Sequence, residues 1–345
     1  MTPIFRQPIV HSSAWRPADF PTKDVFSFDL TPTHIGAFDK ALQRLHVAGN
    51  AHPAGIDRSG FDLSSIEHDV NRWYAALRDG RGLLNLRGFP ITERSVDDLA
   101  LMCYGLCTQW GTPVSQSVMG DRIGHVIEVD KLLHGERRRS YKSAHEMRLH
   151  SDFCDVLAML CLRSARQGGA CRYASGVTIH NEILANRPEL LAPLYRGFHF
   201  WRLGEWPDEP VTPHRVPVFS SHANKLSVHY AGDWNFIKPE NTGVALTDLE
   251  RDAVDYFVEV AEREDIRYDF YLEPGECLFS NNLLHLHARE EIKNDSDPRY
   301  RRHMLRVWVD CPPAFRPSVS ELRVFGHGIG VPERPELVHH DGRNP

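Results

Sequence analysis

The spacing of short apolar runs over the last two thirds of the chain limits the fold more than any other feature. From about residue 123 onward, runs rich in β-branched and aromatic residues follow one another: GHVIEV, VLAMLCL, FHFWRL, RVPVFS, KLSVHY, IRYDFYL, ECLFS and MLRVWV. Helical patterns interrupt them at 178–185 and at 247–263, where Thr247 and Glu250 form a capping box. This many short strands at this spacing predict an antiparallel sandwich or barrel.

The chain before residue 120 has a different pattern. Apolar residues recur at helical spacing over 66–77, strand-forming residues fill 83–89, and a second helical pattern begins at Ser95. A doubly wound sheet needs alternating strands and helices, which this arrangement lacks. We therefore expect a single, mainly β domain with flanking helices (α+β). Its parts are a wrapping N-terminal segment at 1–60, a helix–strand–helix opening at 61–120, a β core with helical insertions at 121–315 and a C-terminal tail at 316–345.

Composition and charge exclude several classes of protein. The net charge of −6 offers no basic surface for nucleic acid or for an acidic membrane. Residues 1–17 lack the apolar run of a secretory signal, and no stretch approaches the roughly 18 apolar residues of a membrane span. Seven cysteines without a C-x-x-C pair argue against a disulfide framework, and Cys103 and Cys107 are expected to be core thiols. A reduced, cytoplasmic protein is the expectation.

A histidine and an aspartate two positions apart offer a metal site. On a strand, His150 and Asp152 would project to the same face and converge on one point. With a second histidine they would form a 2-His-1-carboxylate facial triad, which leaves coordination positions open for non-haem Fe(II). Because H-x-D pairs arise by chance in a chain with 20 histidines and 46 acidic residues, this motif alone decides nothing.

Two arginines share one face of the strand predicted at 300–309. Arg302 and Arg306 lie four residues apart and alternate with Leu305 and Val307. Guanidinium groups that point inward from an apolar strand need anionic partners, because an unpaired buried charge is very costly. A dicarboxylate ligand would supply one partner, and an internal ion pair with Asp or Glu would serve equally well.

Five ordered motifs resemble those of the taurine dioxygenase / clavaminate synthase-like (TauD/TfdA) superfamily, over about residues 82–311. They are the glycine-to-proline strand at 82–90 with the G-x-P-V segment ending at 114, H-x-D at 150–152, the Gly-Gly turn and helix at 168–191, N-x-x-x-x-H-x-R at 282–289, and R-R-x-x-L-R-x-W at 301–308. Five motifs in the right order are far more specific than any one of them. The resemblance implies a double-stranded β-helix (jelly roll).

The resemblance also implies an iron site. It assigns His150, Asp152 and His287 as the Fe(II) ligands, and the spacing from Asn282 selects His287 rather than His285. In the family, 2-oxoglutarate chelates the iron, dioxygen takes the remaining position, and succinate and CO2 are released as a second substrate is oxidised. The retained carboxylate at Asp152 argues against halide transfer, for which relatives carry a small residue there.

The co-substrate contacts follow from the same resemblance. The distal carboxylate of 2-oxoglutarate is expected at Arg302, which lies 15 residues after His287. Arg306 is expected to touch the co-substrate or an anionic group of the primary substrate. Cys171 stands where many relatives carry a Thr or Ser that hydrogen-bonds 2-oxoglutarate, and a thiol is a much weaker donor. Tyr173 or Ser175, on the same strand face, could take that role.

Other polar residues receive weaker assignments. His145, His229 and His303 are expected to be surface or hydrogen-bonded core residues. Glu128, Glu146 and Tyr230 are weak candidates for contacts with the primary substrate, since their segments could line the pocket.

Three function classes remain to be compared. The leading hypothesis is oxidation, most simply hydroxylation, of a small polar molecule, for which an amino-acid-like compound is one candidate. Desaturation or cyclisation is not separable from hydroxylation at this point. A zinc hydrolase could use the same three ligands but would leave Arg302 unexplained. A non-catalytic jelly-roll binding protein would be expected to have a broken triad. No nucleic-acid or membrane partner is expected, and homo-oligomerisation is left open.

Overall fold

The computed structural model describes residues 2–49, 51–117, 120–127, 145–202, 206, 208–232, 237–326 and 328–329. Glu128, one of the weak substrate-contact candidates, lies outside them. The α-helices in the described part are α1 (Pro32–Val47), α2 (Glu67–Asp79), α3 (Val96–Thr108), α4 (Gly176–Asn186), α5 (Leu191–Arg196), α6 (Pro239–Thr242) and α7 (Asp248–Glu262). No described helix is both long and apolar enough to cross a membrane.

The described β-strands divide between two principal sheets and two two-stranded sheets. The strands of the described chain are β1 (Ser27–Asp29), β2 (Leu83–Arg87), β3 (Thr112–Val114), β4 (Gly124–Ile127), β5 (Met147–His150), β6 (Val156–Arg163), β7 (Gln167–Gly168), β8 (Cys171–Ser175), β9 (Phe219–His222), β10 (Lys225–Val228), β11 (Arg267–Phe270), β12 (Glu276–Asn281), β13 (His285–Arg289), β14 (Ile292–Lys293) and β15 (His303–Asp310). The larger sheet has the order β1-β2-β12-β6-β15-β3, with β4 also paired to β15. The smaller sheet has the order β11-β8-β13-β5, and the two-stranded sheets are β9–β10 and β7–β14.

Alternating side chains give each sheet an inner and an outer face. Met304 of β15 and Leu278 of β12 pack with Tyr173 of β8 in one cluster, which fills the space between the sheets. Leu305 and Val307, the alternate residues of β15, pack outward in the cluster that contains α1, α2 and α3. Helices α4, α5 and α7 cover the outer face of the smaller sheet. The result is the expected jelly roll, a mainly β fold with helices on both outer faces.

Most of the predicted elements lie where the sequence placed them. Thr247 caps α7 and forms the predicted capping box with Glu250. Ser95 caps α3, and its side chain accepts from the backbone N–H of Asp98. The strand expected in FHFWRL is wrong over its described residues 198–202, which form only the isolated bridges Phe198–Val216 and Trp201–Val211. The strand expected in RVPVFS is confirmed only at its end, where β9 begins at Phe219.

The N-terminal segment that was predicted to wrap the domain contributes several buried side chains to the core. They contain α1, in which Phe38 and Ala41 are fully buried, and β1, which pairs in parallel with β2. Upstream, Trp15 is 1% exposed and its indole N–H donates to Nε2 of His285, at 3.1 Å. The first part of the C-terminal tail also packs against the core, since Phe325 is buried.

Candidate active site

Two neighbouring strands of the smaller sheet bring the two candidate histidines together. His287 on β13 pairs directly with His150 at the end of β5. Their ring centroids are 4.3 Å apart. Asp152 completes the group, with Oδ1 3.7 Å from Nε2 of His150 and Oδ2 3.6 Å from Nε2 of His287. One ligand atom from each of the three lies within 4.8 Å of the others, a spacing that one metal ion could bridge.

Asp152 reaches this group from a loop and not from a strand. Strand β5 ends at His150, so strand alternation, which the sequence suggested, does not explain the convergence. The side-chain amide of Asn282 holds the loop instead. Its Oδ1 accepts from the backbone N–H of Asp152 at 3.0 Å, and its Nδ2 donates to the carbonyls of Asp152 and Cys154 at 2.6 and 2.8 Å. Asn282 thus fixes the backbone of the loop that carries the Asp152 carboxylate.

The backbone orients the His150 ring. Its Nδ1 lies 2.8 Å from the carbonyl oxygen of Arg148, and because a carbonyl can only accept, Nδ1 carries the proton. The lone pair is therefore on Nε2, the atom that faces Asp152. Burial, joined by the neighbouring His287, lowers the pKa of His150 to about 4, so the ring is neutral at neutral pH, as a metal ligand must be.

Two side chains of β15 hold the Asp152 carboxylate. Trp308 donates its indole N–H to Oδ2 at 2.9 Å, and Nη1 of Arg306 lies 3.3 Å from the same oxygen. Gln116 supports Arg306 in turn by accepting from its Nε at 2.6 Å. Burial opposes ionisation of Asp152, but the charge of Arg306 and the hydrogen bond with His287 outweigh it. The pKa of Asp152 therefore lies well below its ordinary value.

Arg302 lies on the same side of β15 but has no such partner. Its side chain is buried, with 5% of the residue exposed, and no carboxylate of a described residue forms an ion pair with it. Burial lowers the pKa of Arg302, and it is opposed by the nearby thiols of Cys171 and Cys161 and not by a carboxylate of a described residue. Arg302 and Arg306 line one cavity of about 50 Å³ together with His150, Asp152 and His287. The predicted shared face of the two arginines is confirmed by this common cavity.

Comparison with known families supplies the decisive observation. The model of the taurine catabolism dioxygenase TauD, TfdA family matches residues 47–308, about three quarters of the chain. The chain belongs to the TauD/TfdA family. It is therefore a dioxygenase, and the jelly roll is the fold expected of it.

Individual relatives of this TauD/TfdA dioxygenase are more distant. FR-33289 synthase from Streptomyces rubellomurinus is 27% identical over 314 residues, which cover 90% of this chain and 92% of that protein. A taurine hydroxylase-like protein, SAT17, from Stachybotrys chartarum is 24% identical over 341 residues, with 92% and 84% covered.

Solved structures agree with the TauD/TfdA fold. Asparagine oxygenase in complex with Fe(II), 2S,3S-3-hydroxyasparagine and succinate superposes with a TM-score of 0.64 at 14% identity, covering 85% of this chain and 97% of that one. The non-heme iron oxygenase OrfP in complex with Fe and alpha-ketoglutaric acid gives a TM-score of 0.61 at 15% identity, covering 88% and 100%.

The residues of this TauD/TfdA chain fit a metal and a dicarboxylate on their own chemistry. Two imidazoles and one carboxylate are the donor set suited to a divalent ion of intermediate hardness. The guanidinium of Arg302, buried in the adjoining space without a carboxylate partner in the described part of the chain, suits an anionic ligand.

His285 is set apart from the metal group although it lies two residues before His287. Its Nε2 is occupied as the acceptor from Trp15, and the ring is buried. Burial lowers the pKa of His285 to about 3. Nothing places it in the group of possible ligands.

The replacements considered for the missing Thr or Ser are both engaged elsewhere. Cys171 lines the cavity next to Arg302, and burial raises the pKa of its thiol. The Ser175 hydroxyl donates to the carbonyl of Ser13 and caps α4, so it is not available. The ring of Tyr173 stacks near His287 at 5.9 Å, but its hydroxyl points to Ser280 at 3.5 Å.

Sequence reasoning missed Trp308 and Gln116 as supports of the metal group. Trp308 could have been found, since it extends the alternation that places Arg302 and Arg306 on one face. Gln116 carried no signal, because its contact with Arg306 joins residues 190 positions apart. Of the weak substrate-contact candidates, Glu146 forms an ion pair with Arg172 and is more than half exposed.

Proposed function

We propose that this dioxygenase uses Fe(II), 2-oxoglutarate and O2 to hydroxylate a small, polar, amino-acid-like substrate. His150, Asp152 and His287 are the proposed iron ligands, and Arg302 is the proposed anchor of the distal carboxylate. The observation that carries the proposal is the pairing of a metal triad with a buried arginine that has no acidic partner among the described residues, on one cavity. A zinc hydrolase would use the triad, but it would have no anionic co-substrate to compensate the free-energy cost of burying the charge of Arg302.

Each side chain of the candidate active site has a separate proposed role. When bound, iron and 2-oxoglutarate would supply the oxidising chemistry, as they do throughout this family. The Nδ1 proton of His150 is held by a backbone carbonyl, which leaves Nε2 free to ligate. Trp308 and Arg306 fix the direction and the charge of the Asp152 carboxylate. Arg302 would fix the far end of the co-substrate by a planar, two-pronged contact.

The substrate class rests on charge and on the neighbouring structures. Among the described residues, three arginines, Arg289, Arg302 and Arg306, and one carboxylate, that of Asp152, line the cavity. The positive charge favours a substrate that carries a carboxylate or another anionic group. The two solved neighbours described above are oxygenases, one of them bound to a hydroxylated amino acid. We therefore place amino acids and their close analogues first among the substrates to test.

The experiment is an anaerobic titration of the purified protein with Fe(II) and 2-oxoglutarate. A visible metal-to-ligand charge-transfer band is expected when both are present and not with either alone. Amino acids are then screened for stimulated formation of succinate in air. Hydrolysis without O2 and without any 2-oxo acid would replace this proposal by the zinc hydrolase.

Two further expectations belong with the proposal. We infer a cytoplasmic location, for which the seven cysteines, all free thiols in the fold, are suited. We also infer that the chain forms one domain, since β1 and β2 from the N-terminal region lie in the same sheet as β12 and β15.

A further inference from the structure

A second, larger cavity borders Arg302 and contains none of the three metal-group residues. Its volume is about 320 Å³, and its walls include Cys161, Cys171, Leu272 and Arg302. Its size lies within the range of small-molecule sites, which is roughly 300–1,000 Å³. The cavity beside the metal group is much smaller, at about 50 Å³.

The two cavities meet at two side chains. Arg302 and Cys171 line both of them. The guanidinium of Arg302 thus borders the metal group on one side and the larger cavity on the other. An anion bound at Arg302 would be reachable from either space.

The larger cavity extends to the surface of the protein. Arg166 and Tyr271 lie at its rim. The side chain of Arg166 is 73% exposed, and Tyr271 as a whole residue is 53% exposed. At the rim Arg166 forms an ion pair with Asp295, at 3.3 Å, whereas the floor carries the buried cation Arg302, which has no carboxylate partner among the described residues. The positive charge of Arg302 attracts an anion that enters the cavity.

Glycine keeps the inner end of this cavity open. Gly169 has φ +82°, and a Cβ there would lie 3.6 Å from Cδ of Arg302 and 3.4 Å from Cβ of Ala165. It would also come within 2.9 Å of Ile292, closer than side chains pack. Ala165, a small residue on the wall, therefore lies beside the path to Arg302.

The described chain leaves little room on another side of the metal group. There Phe153, His229 and Phe325 line a cavity of only about 10 Å³ with Asp152. Phe325 packs against Phe153 with ring centroids 4.8 Å apart. The C-terminal segment is held by Arg323, which donates to both oxygens of Asp155 at 2.9 and 2.8 Å.

We propose that the larger cavity is a port through which short dicarboxylates reach and leave Arg302, separately from the primary substrate. 2-Oxoglutarate enters and succinate departs through it. This inference rests on the proposed function, since it takes 2-oxoglutarate as the ligand of Arg302. It adds that exchange of the dicarboxylate does not require the space over the metal group to empty.

The test is to narrow the port and to measure rates as well as affinity. Ala165→Trp places a large ring beside Gly169, and Gln167→Trp, at an exposed wall position, is a second variant in case the first does not fold. Ala54→Trp, at an exposed site that lines neither cavity, is the matched control. Anaerobic stopped-flow mixing of the Fe(II) protein with 2-oxoglutarate, followed by the charge-transfer band, gives the association and dissociation rate constants.

A port has a distinctive kinetic signature. Narrowing it should slow association and dissociation by the same factor, about tenfold, and leave the Kd unchanged, because only the barrier between the two states rises. The control should change neither rate constant. Unchanged rates in both port variants, or a loss of affinity carried by dissociation alone, would overturn the port. The absence of a charge-transfer band in the unmodified protein would instead overturn the proposed function.

Discussion

The metal end and the Arg302 end of the site solve the problem of buried charge in opposite ways. At the metal end, Asp152 is held by Trp308, Arg306 and Asn282, so the carboxylate is oriented by the protein alone. At the other end, Arg302 is buried with no carboxylate partner among the described residues. The metal end is therefore preorganised by the protein, whereas the buried charge at the Arg302 end gains its partner only when an anionic ligand binds. The predictions that follow test this contrast.

The largest effect is expected at the metal end. Single replacement of His150, Asp152 or His287 by Ala should abolish turnover and weaken Fe(II) binding, because each removes one of three protein ligands. Iron content after anaerobic loading, together with the charge-transfer band, measures the loss. The matched control is His285→Ala, which should retain iron. If His285→Ala lost iron while His287→Ala kept it, the assignment of the distal ligand would be wrong.

At the other end, Arg302→Ala should raise the KM for 2-oxoglutarate by about 10- to 100-fold while Fe(II) affinity stays nearly intact. A hydrogen bond to a charged group contributes about 1.5–3 kcal/mol, and about 1.4 kcal/mol is a factor of ten. Arg302→Lys should recover part of the loss, because an ammonium cannot reproduce the planar fork. Arg299→Ala, at an exposed ion pair nearby, is the control. An unchanged KM in Arg302→Ala would contradict the proposed anchor.

Asn282→Ala tests how far the metal end is built in advance. The variant leaves the backbone groups of Asp152 and Cys154 without their partners, so the free energy of unfolding should fall by about 1–3 kcal/mol. Fe(II) affinity should fall with it, because the loop that aims Asp152 loses its support. Urea unfolding and iron titration measure the two effects. Full iron affinity in a destabilised variant would mean that the loop does not depend on Asn282.

The pH dependence of stability distinguishes buried histidines from exposed ones. Burial lowers the pKa of His285 to about 3 and that of His180 to about 4, from the ordinary value of 6.5. Between these values the unfolded chain binds protons that the folded chain does not, so the free energy of unfolding should fall as pH drops from about 6.5 toward 4.

Urea unfolding of the metal-free protein at several pH values measures this slope. His285→Gln should flatten it, because one proton-binding group is lost while an acceptor for Trp15 is kept. The control is His68→Gln, at a side chain that is 91% exposed, and it should leave the slope unchanged. An equal flattening in both variants would contradict the assignment to burial.

The smallest effect is expected at Cys171. Cys171→Thr should lower the KM for 2-oxoglutarate by up to about tenfold, because a hydroxyl donates a hydrogen bond that contributes about 0.5–1.5 kcal/mol and a thiol barely does. Cys161→Thr, at a wall of the larger cavity only, should not improve it. A higher KM for 2-oxoglutarate in Cys171→Thr would show that the site is shaped for the sulfur atom and that no hydrogen-bond donor is missing at this position.

Local patterns predicted those elements whose signal is local. Helix α7 was found because Thr247 and Glu250 form a capping box in front of an amphipathic run. Helix α1 was missed because its N-cap box uses Thr31 and His34, an unusual partner, and its apolar stripe is interrupted by polar residues. The residues at 198–202 and 215–218 have strand composition, but tertiary packing allows them only isolated bridges.

The same distinction between local signals and long-range contacts applies to the candidate active site. Motif spacing brought His150, Asp152, His287 and Arg302 forward as a group, and all four line one cavity. The contacts that orient them could not be predicted, because they join distant parts of the chain. The pair of Asn282 with Asp152 spans 130 positions, and that of Trp308 with Asp152 spans 156.

The place of β12 in the larger sheet has a consequence for synthesis on the ribosome. Strand β12 pairs with β2 on one side and β6 on the other. Strand β2 therefore cannot complete its pairing until β12, nearly 200 positions downstream, has been synthesised. Until residue 281 has emerged, the nascent chain exposes the apolar edges of both neighbours. Contacts of this range fold slowly and favour aggregation of incomplete chains. We therefore expect release of the finished chain, rather than elongation, to begin productive folding, and chaperones to raise the yield.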